Sequence, residues 1–364
     1  MSGPRTRLAP ECVDELSDAV RSTNHVLPRG GGTKPALSRI VSKPTEIEMA
    51  GISGLVEYLP EEYTVTTYAG TTLREVSIAL GENNQYFPFD PPLSEAGATV
   101  GGTVASGLSG SGRYRYGGLR DFILGVRFID GNGRLITGGG KVVKNAAGFD
   151  FPKLMVGSLG RLGILTEVTF KVFPAPGGYA TLKIPYENLE KALAALNSMN
   201  GNTIDLHALD IEMPATLCIR LGGIRDALPQ RIERVKGFLG ATGESLQGEI
   251  EADCWREIAE FKWVPDGWNL IKIPLQPSRL PALHGVIEAH GSQPRYCAGA
   301  ALAWVAVPPD VSLCRLDREL ADAGFSGLIL RGAGNSVILG SFEKNAFLDR
   351  VKRALDETGR FPGY

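Results

Sequence analysis

Ala98-Thr-Val-Gly-Gly-Thr-Val-Ala-Ser-Gly-Leu-Ser-Gly110 is the stretch on which the fold turns. Small residues alternate with hydroxyls for a dozen positions, so no side chain holds the backbone away from a large flat ligand. A flexible Gly/Ser loop is the other reading. Val100, Val104 and Leu108 speak against it, because they anchor the segment to a core.

Two further glycine-rich segments flank it. Upstream, Pro28-Arg-Gly-Gly-Gly-Thr-Lys34 follows a short apolar run. Successive glycines can turn several backbone N–H groups into one concavity for phosphate oxygens, with Thr33 adding a hydroxyl and Arg29 or Lys34 a charge. A tight surface turn is the alternative. The segment lacks the G-x-x-x-x-G-K-[ST] spacing of a Walker loop. Downstream, Gly157-Ser-Leu-Gly-Arg-Leu-Gly-Ile-Leu-Thr-Glu167 repeats glycine every third residue and then enters a strand. Neither G-x-G-x-x-G nor G-x-G-x-x-A occurs anywhere, so a dinucleotide-binding Rossmann unit has no fingerprint.

Composition agrees with a ligand-lined region. Of 46 glycines, 18 fall between Gly97 and Gly163, against a usual share of about 7%. The 364 residues are 43% hydrophobic and 21% charged, with net charge −2. That is an ordinary soluble composition with no basic field for nucleic acid or an anionic membrane. No apolar run reaches the roughly 18 residues of a membrane span, and the first ten residues carry no leader-like apolar stretch. Five cysteines without a C-x-x-C pair leave iron–sulfur and zinc-ribbon sites without a signature, and reduced cytoplasmic thiols are expected.

Periodicity predicts a helix over Glu11–Ser22, strands at Leu55–Leu59 and Tyr63–Tyr68, a helix from Thr72, and a loop from Asn83 to Gly118. A hairpin joins Ile123–Ile129 to Arg134–Thr137 across Asp130-Gly-Asn-Gly133, and Ile164–Phe173 is a long strand. Pro174-Ala-Pro-Gly-Gly178 is the best linker. Two domains are expected, 1–176 and 177–364. The second reads as a smaller α+β domain with a mainly antiparallel sheet covered by helices.

As an ordered set, the three segments resemble the FAD-binding domain of the vanillyl-alcohol oxidase and p-cresol methylhydroxylase flavoproteins. Pro28–Lys34 is similar to the family's pyrophosphate loop. Asp90-Pro-Pro92 with Ala98–Gly110 resembles its flavin-cradling stretch, and Gly160–Glu167 its strand at the adenine side. The hairpin and Lys144-Asn-Ala-Ala-Gly-Phe-Asp150 resemble the glycolate and D-lactate branch. The C-terminal half most resembles the FAD-binding second subunit of bacterial glycolate oxidase.

The resemblance implies an α+β fold with a two-subdomain p-cresol methylhydroxylase-type domain. It implies that Arg29, Gly30, Gly31, Gly32, Thr33 and Lys34 hold the pyrophosphate. Thr99, Gly101, Gly102, Ser106, Gly107 and Gly110 would line the diphosphate and isoalloxazine, and Gly160, Gly163, Ile164 and Leu165 the adenosine half. Many members attach FAD through a histidine in the pyrophosphate loop; Pro28–Lys34 has none, so non-covalent FAD is expected. His25, His207, His284 and His290 make no evident metal pair, and no catalytic base is assigned. Arg113, Arg115 and Arg120, near Tyr114 and Tyr116, are candidates for carboxylate binding or for solvated loop positions. The implied partners are a larger FAD subunit and an iron–sulfur subunit, with a small 2-hydroxy acid as substrate of the complex. The implied location is the cytoplasm, or the inner membrane's surface through partners. A self-sufficient dehydrogenase and a non-catalytic assembly subunit are the alternatives.

Overall fold

The computed structural model describes residues 6–39, 44–140, 149–334, 336–342 and 346–363. The expected contribution of Lys144–Gly148 lies outside the described residues. The chain forms two compact units, Met1–Ser109 with Gly118–Ala175 and Glu343–Tyr364, and Gly110–Gly117 with Pro176–Phe342.

The first unit carries two principal sheets. Arg7–Leu8, Thr45–Glu48 and Val26–Arg29 form a parallel three-stranded sheet. An antiparallel five-stranded sheet runs in the order Leu55–Leu59, Thr64–Tyr68, Ile164–Lys171, Ile123–Ile129, Leu135–Gly139. The hairpin turn is held by Asp130, whose carboxylate accepts the N–H groups of Asn132 and Arg134 (both 2.8 Å). Helix Val13–Ser22 buries Leu16 and Val20 in a cluster with Val26, Ile47, Met49, Ile129 and Ile164. Helix Leu73–Gly81 starts in a capping box, Thr72 with Glu75, of the kind that contributes about 1 kcal/mol. Its apolar stripe, Leu73, Val76 and Leu80, is buried.

The second unit is built on one nine-stranded sheet whose neighbours all pair antiparallel. Alternation gives the sheet two different faces. Ala180, Leu182, Ile184, Ile219 and Tyr296 lie on the apolar one. There Leu228, which opens helix Leu228–Leu239, packs beside Gly178, and His284 of helix Leu280–Glu288 bonds the Tyr296 hydroxyl (2.9 Å). The opposite face carries Thr181, Lys183, Asp210, Glu212, Cys218, Arg220 and Arg295, matched across strands by register. Helix Gly248–Ala259 covers one end of it. Its Glu251 accepts from Thr181 Oγ1 (2.9 Å) and pairs with Arg220 (2.8 Å), while Trp255 donates to Thr181 Oγ1 (2.7 Å).

Three features differ from the sequence expectations. Val100–Ser106, expected within a loop, is a short helix. Thr99 caps it by accepting Gly102 N–H, Val100 and Val104 bury one side, and Gly107 closes it at φ 61°. Residues 110–117 belong to the second unit, where Ser111 Oγ donates to the buried Asp210 carboxylate (2.6 Å) and Arg115 pairs with Asp205. The chain's tail belongs to the first unit, where Phe361 enters the Leu16–Ile164 core and Val26 N–H donates to Arg360 O (2.9 Å). Local periodicity carries no information about such long-range pairings.

Candidate functional site

The three glycine-rich segments meet in the first unit because their backbones approach within side-chain distance. A Cβ on Gly31 would sit 1.8 Å from the Gly97 carbonyl, and one on Gly30 would sit 2.2 Å from Thr99 Oγ1. A Cβ on Gly101 would meet Ala69 at 2.8 Å. The third segment docks on the helix of the second, with Gly157 N–H donating to Val104 O (3.0 Å) and Leu159 N–H to Ala105 O (2.8 Å). These glycines are therefore needed for packing of the protein on itself. Gly102 differs: a Cβ there would meet only Thr99 Oγ1, at 3.1 Å, and would otherwise face open space.

That space is a cleft with about 820 Å³ of empty volume, part of it continuous with solvent. Arg29, Gly30, Gly31, Gly32, Thr33, Lys34, Thr99, Gly101, Gly102, Ser106, Gly160, Gly163, Ile164 and Leu165 line it. Two sequence candidates do not. Gly107 is the left-handed cap of helix Val100–Ser106, against Gly157. Gly110 belongs to the second unit. Sequence reasoning missed Met49, Ala69, Ala105, Ser158 and Leu159, which also line the cleft. Ser158 sits among turn glycines, and only its burial in the fold marks it.

Charge and polarity identify what the cleft suits. Arg29 pairs with the buried Glu46 (3.1 Å), so its charge is shared. Lys34 is 8% exposed, its ammonium donates to Thr33 Oγ1 (3.0 Å), and among the described residues no carboxylate lies in ion-pair range. Burial pushes its pKa down to about 8. A desolvated ammonium without a counter-charge favours an anion beside it. Among the described residues the Ser158 hydroxyl, 3% exposed, has no hydrogen-bond partner. A buried cation, an unsatisfied hydroxyl and an open glycine backbone fit a flat ligand carrying phosphate, and so fit FAD.

The remaining candidates lie elsewhere. Arg115 pairs with Asp205 and lies 5.0 Å over Tyr116 within the second unit. Arg120 is exposed in the first. His207 is buried against Tyr116 and Tyr179, and burial, then Arg220, Arg115 and Arg231, pushes its pKa down to about 3, so it is neutral. His290 pairs with Glu319, and His25 is exposed.

Comparison with known proteins bears directly on the cleft. Residues 4–139 match the family described as FAD binding domain. Glycolate oxidase subunit GlcE of Escherichia coli (strain K12) is 34% identical over 249 residues, covering 68% of this chain and 67% of that one. Glycolate oxidase subunit GlcD of Bacillus subtilis (strain 168) is 31% identical over 227 residues, 60% of this chain and 47% of that one. A D-lactate dehydrogenase of Anaerostipes hadrus is 35% identical over 150 residues, 41% of this chain and 31% of that one. The chain thus spans two thirds of the first relative and less than half of the other two. In fold it is similar to alkyldihydroxyacetonephosphate synthase, with a TM-score of 0.73 at 15% identity over 97% of this chain and 75% of that one. The chain belongs to the FAD-binding flavoprotein oxidoreductases of the vanillyl-alcohol oxidase and p-cresol methylhydroxylase family, and its cofactor is FAD.

Proposed function

We propose that this chain is the FAD-binding subunit of a glycolate-oxidase-type complex. The complex oxidises a small 2-hydroxy acid, glycolate or D-lactate, to the 2-oxo acid and passes electrons on through an iron–sulfur partner. Lys34 is the observation that supports the cofactor placement: a buried ammonium with no carboxylate in ion-pair range among the described residues, beside a glycine loop, in the same cleft as the Ser158 hydroxyl, which those residues leave unsatisfied. Lys34 and the N–H groups of Gly30–Gly32 hold the pyrophosphate. Helix Val100–Ser106 presents Gly102 without a side chain to the ligand, and Ile164 and Leu165 supply an apolar wall. Bound FAD supplies a two-electron acceptor for hydride from a hydroxy-acid carbon. The chain's own part is to hold that group, neutralise phosphate charge and exclude water.

Attachment is non-covalent, since Pro28–Lys34 has no histidine. GlcE and GlcD are both named as glycolate oxidase subunits, which supports a complex with a larger FAD subunit. Among the described residues no helix is long and apolar enough to cross a membrane. As a subunit of such a complex, the chain would work in the cytoplasm or at the inner membrane's surface through its partners. The absence of C-x-x-C spacing supports an external electron acceptor.

Two measurements test this. Acid precipitation of the purified yellow protein should leave flavin in the supernatant; flavin in the pellet contradicts the attachment. Glycolate and D-lactate turnover with an artificial acceptor should be slow for the chain alone and rapid with its partner subunits. Rapid turnover by the isolated chain would favour a self-sufficient dehydrogenase. No rescue by partners, with flavin bound, would favour an assembly role.

A further inference from the structure

The wall segment from Gly157 to Gly163 is conformationally demanding. Gly157, Leu159 and Gly160 all have positive φ (80°, 54° and 70°), which is uncommon for a leucine. Such a turn persists only where its surroundings over-determine it. Helix Val100–Ser106 supplies one side through the bonds to Gly157 and Leu159. The second tether comes from 191 residues further along the chain, where Lys352 Nζ donates to the carbonyl of Arg161 (2.7 Å).

Lys352 does more than touch the loop. Its ammonium also donates to Phe361 O (3.1 Å) and to the Asp356 carboxylate (2.5 Å). All three of its N–H donors are thereby used. Asp356, whose side chain is fully buried, accepts the N–H groups of Arg360 (2.8 Å) and Phe361 (2.9 Å), which curls the tail back. That curl seats Phe361 in the core cluster with Met49 and Ile164, two residues that line the cleft.

The geometry points to Lys352 and Asp356 as positioning residues of the cofactor cleft: helix Ala346–Leu355 and the tail after it form a strut that fixes the loop 158–163 and backs the wall made by Met49 and Ile164. The inference rests on the reading of this cleft as the FAD site. Neither residue lines the cleft, so their effect on FAD passes through Arg161 O and Phe361.

Lys352→Met in the full chain should weaken FAD binding roughly tenfold or more, the scale set by losing charge-assisted hydrogen bonds. Hydrogen exchange of the flavin-free protein should quicken at the Leu159 and Arg161 amides. Leu80→Ala, a buried position off the cleft wall, serves as the control for general destabilisation. It should lower the unfolding midpoint with neither effect. Lys352→Arg keeps a charge opposite Asp356 but replaces a tripod of donors with a planar fork. It should show the same localised exchange, and it carries the test if the Met variant does not fold. Wild-type affinity and wild-type exchange at Leu159 in Lys352→Met overturn the inference, as does an affinity loss matched by Leu80→Ala. If the wild-type chain itself takes up no FAD, the cleft reading fails, while the exchange measurement still decides whether the strut holds the loop.

Discussion

Two buried cations, Arg295 in the second unit and Lys34 in the first, are treated in opposite ways. In the second, Arg295 is 4% exposed and lies between two carboxylates, Asp210 at 3.8 Å and Glu212 at 3.4 Å. Glu212 is also shared with Lys183 (3.0 Å), and Asp210 is anchored by Ser111 Oγ and Ala298 N–H. Burial opposes the guanidinium's charge, but these neighbours and the thiols of Cys218 and Cys297 raise its pKa overall. In the first, Lys34 is nearly as buried and among the described residues its ammonium meets only the Thr33 hydroxyl, so burial lowers its pKa. Charge balance completed by the protein marks a structural network. Charge balance left to something else marks a binding site.

The largest effect expected from breaking this contrast is in Arg295→Met. Removing one member of a buried ion network leaves the others uncompensated, which typically costs about 3–5 kcal/mol. Urea unfolding should show a loss on that scale, while flavin titration of the folded protein should show unchanged FAD affinity. A loss below roughly 1 kcal/mol, the range of exposed ion pairs, would place Arg295 outside any structural network.

Glycines sharpen the same distinction. Gly31→Ala sets a Cβ 1.8 Å from a backbone carbonyl and should destabilise the first unit itself. In Gly102→Val the new Cβ meets only the Thr99 hydroxyl, at 3.1 Å. The variant should keep its secondary structure by circular dichroism yet lose bound FAD. Full flavin occupancy in Gly102→Val would mean that the ligand does not lie over this helix.

How much of this was legible beforehand depends on the distance over which each feature is determined. The three glycine segments stand out in the sequence because close backbone approach excludes side chains, so the long-range contacts of Gly30, Gly31 and Gly101 leave a local mark, the missing side chain. Helix Val100–Ser106 was hidden because two glycines mask helix propensity, leaving Thr99 and the Val100–Val104 spacing as the only signals. The strand Gln293–Cys297 is not legible locally, because its Pro294 argues against a strand by local rules. Lys352 and Asp356 read as an ordinary solvent-facing i,i+4 pair. Their burial is set by Phe361 and Arg161, contacts that no periodicity encodes.

Lys34→Met is the next smaller effect and reverses the sign seen at Arg295. FAD affinity should fall by roughly tenfold to a hundredfold, the scale of a charge-assisted hydrogen bond. The flavin-free protein should be as stable or more stable, because an uncompensated buried charge is gone. Lower stability in the flavin-free variant would show that Lys34 already has a counter-charge.

The smallest effect is a pH dependence. In the flavin-free fold burial brings the Lys34 pKa down to about 8, against 10.5 for the free side chain. Between those values the unfolded chain holds a proton that the folded chain has released, so Lys34 makes flavin-free stability rise with pH across that window. A pyrophosphate beside the ammonium favours its charged form, so FAD binding above pH 8 must take up a proton. Affinity should therefore be flat below about pH 7.5 and weaken above pH 8, by up to about tenfold per pH unit, until the bound-state pKa is reached. Isothermal titration in two buffers of different ionisation enthalpy measures the proton uptake directly. In Lys34→Met both the uptake and the slope should vanish. An identical slope in the variant would assign the titration to another group and remove Lys34 from the phosphate site.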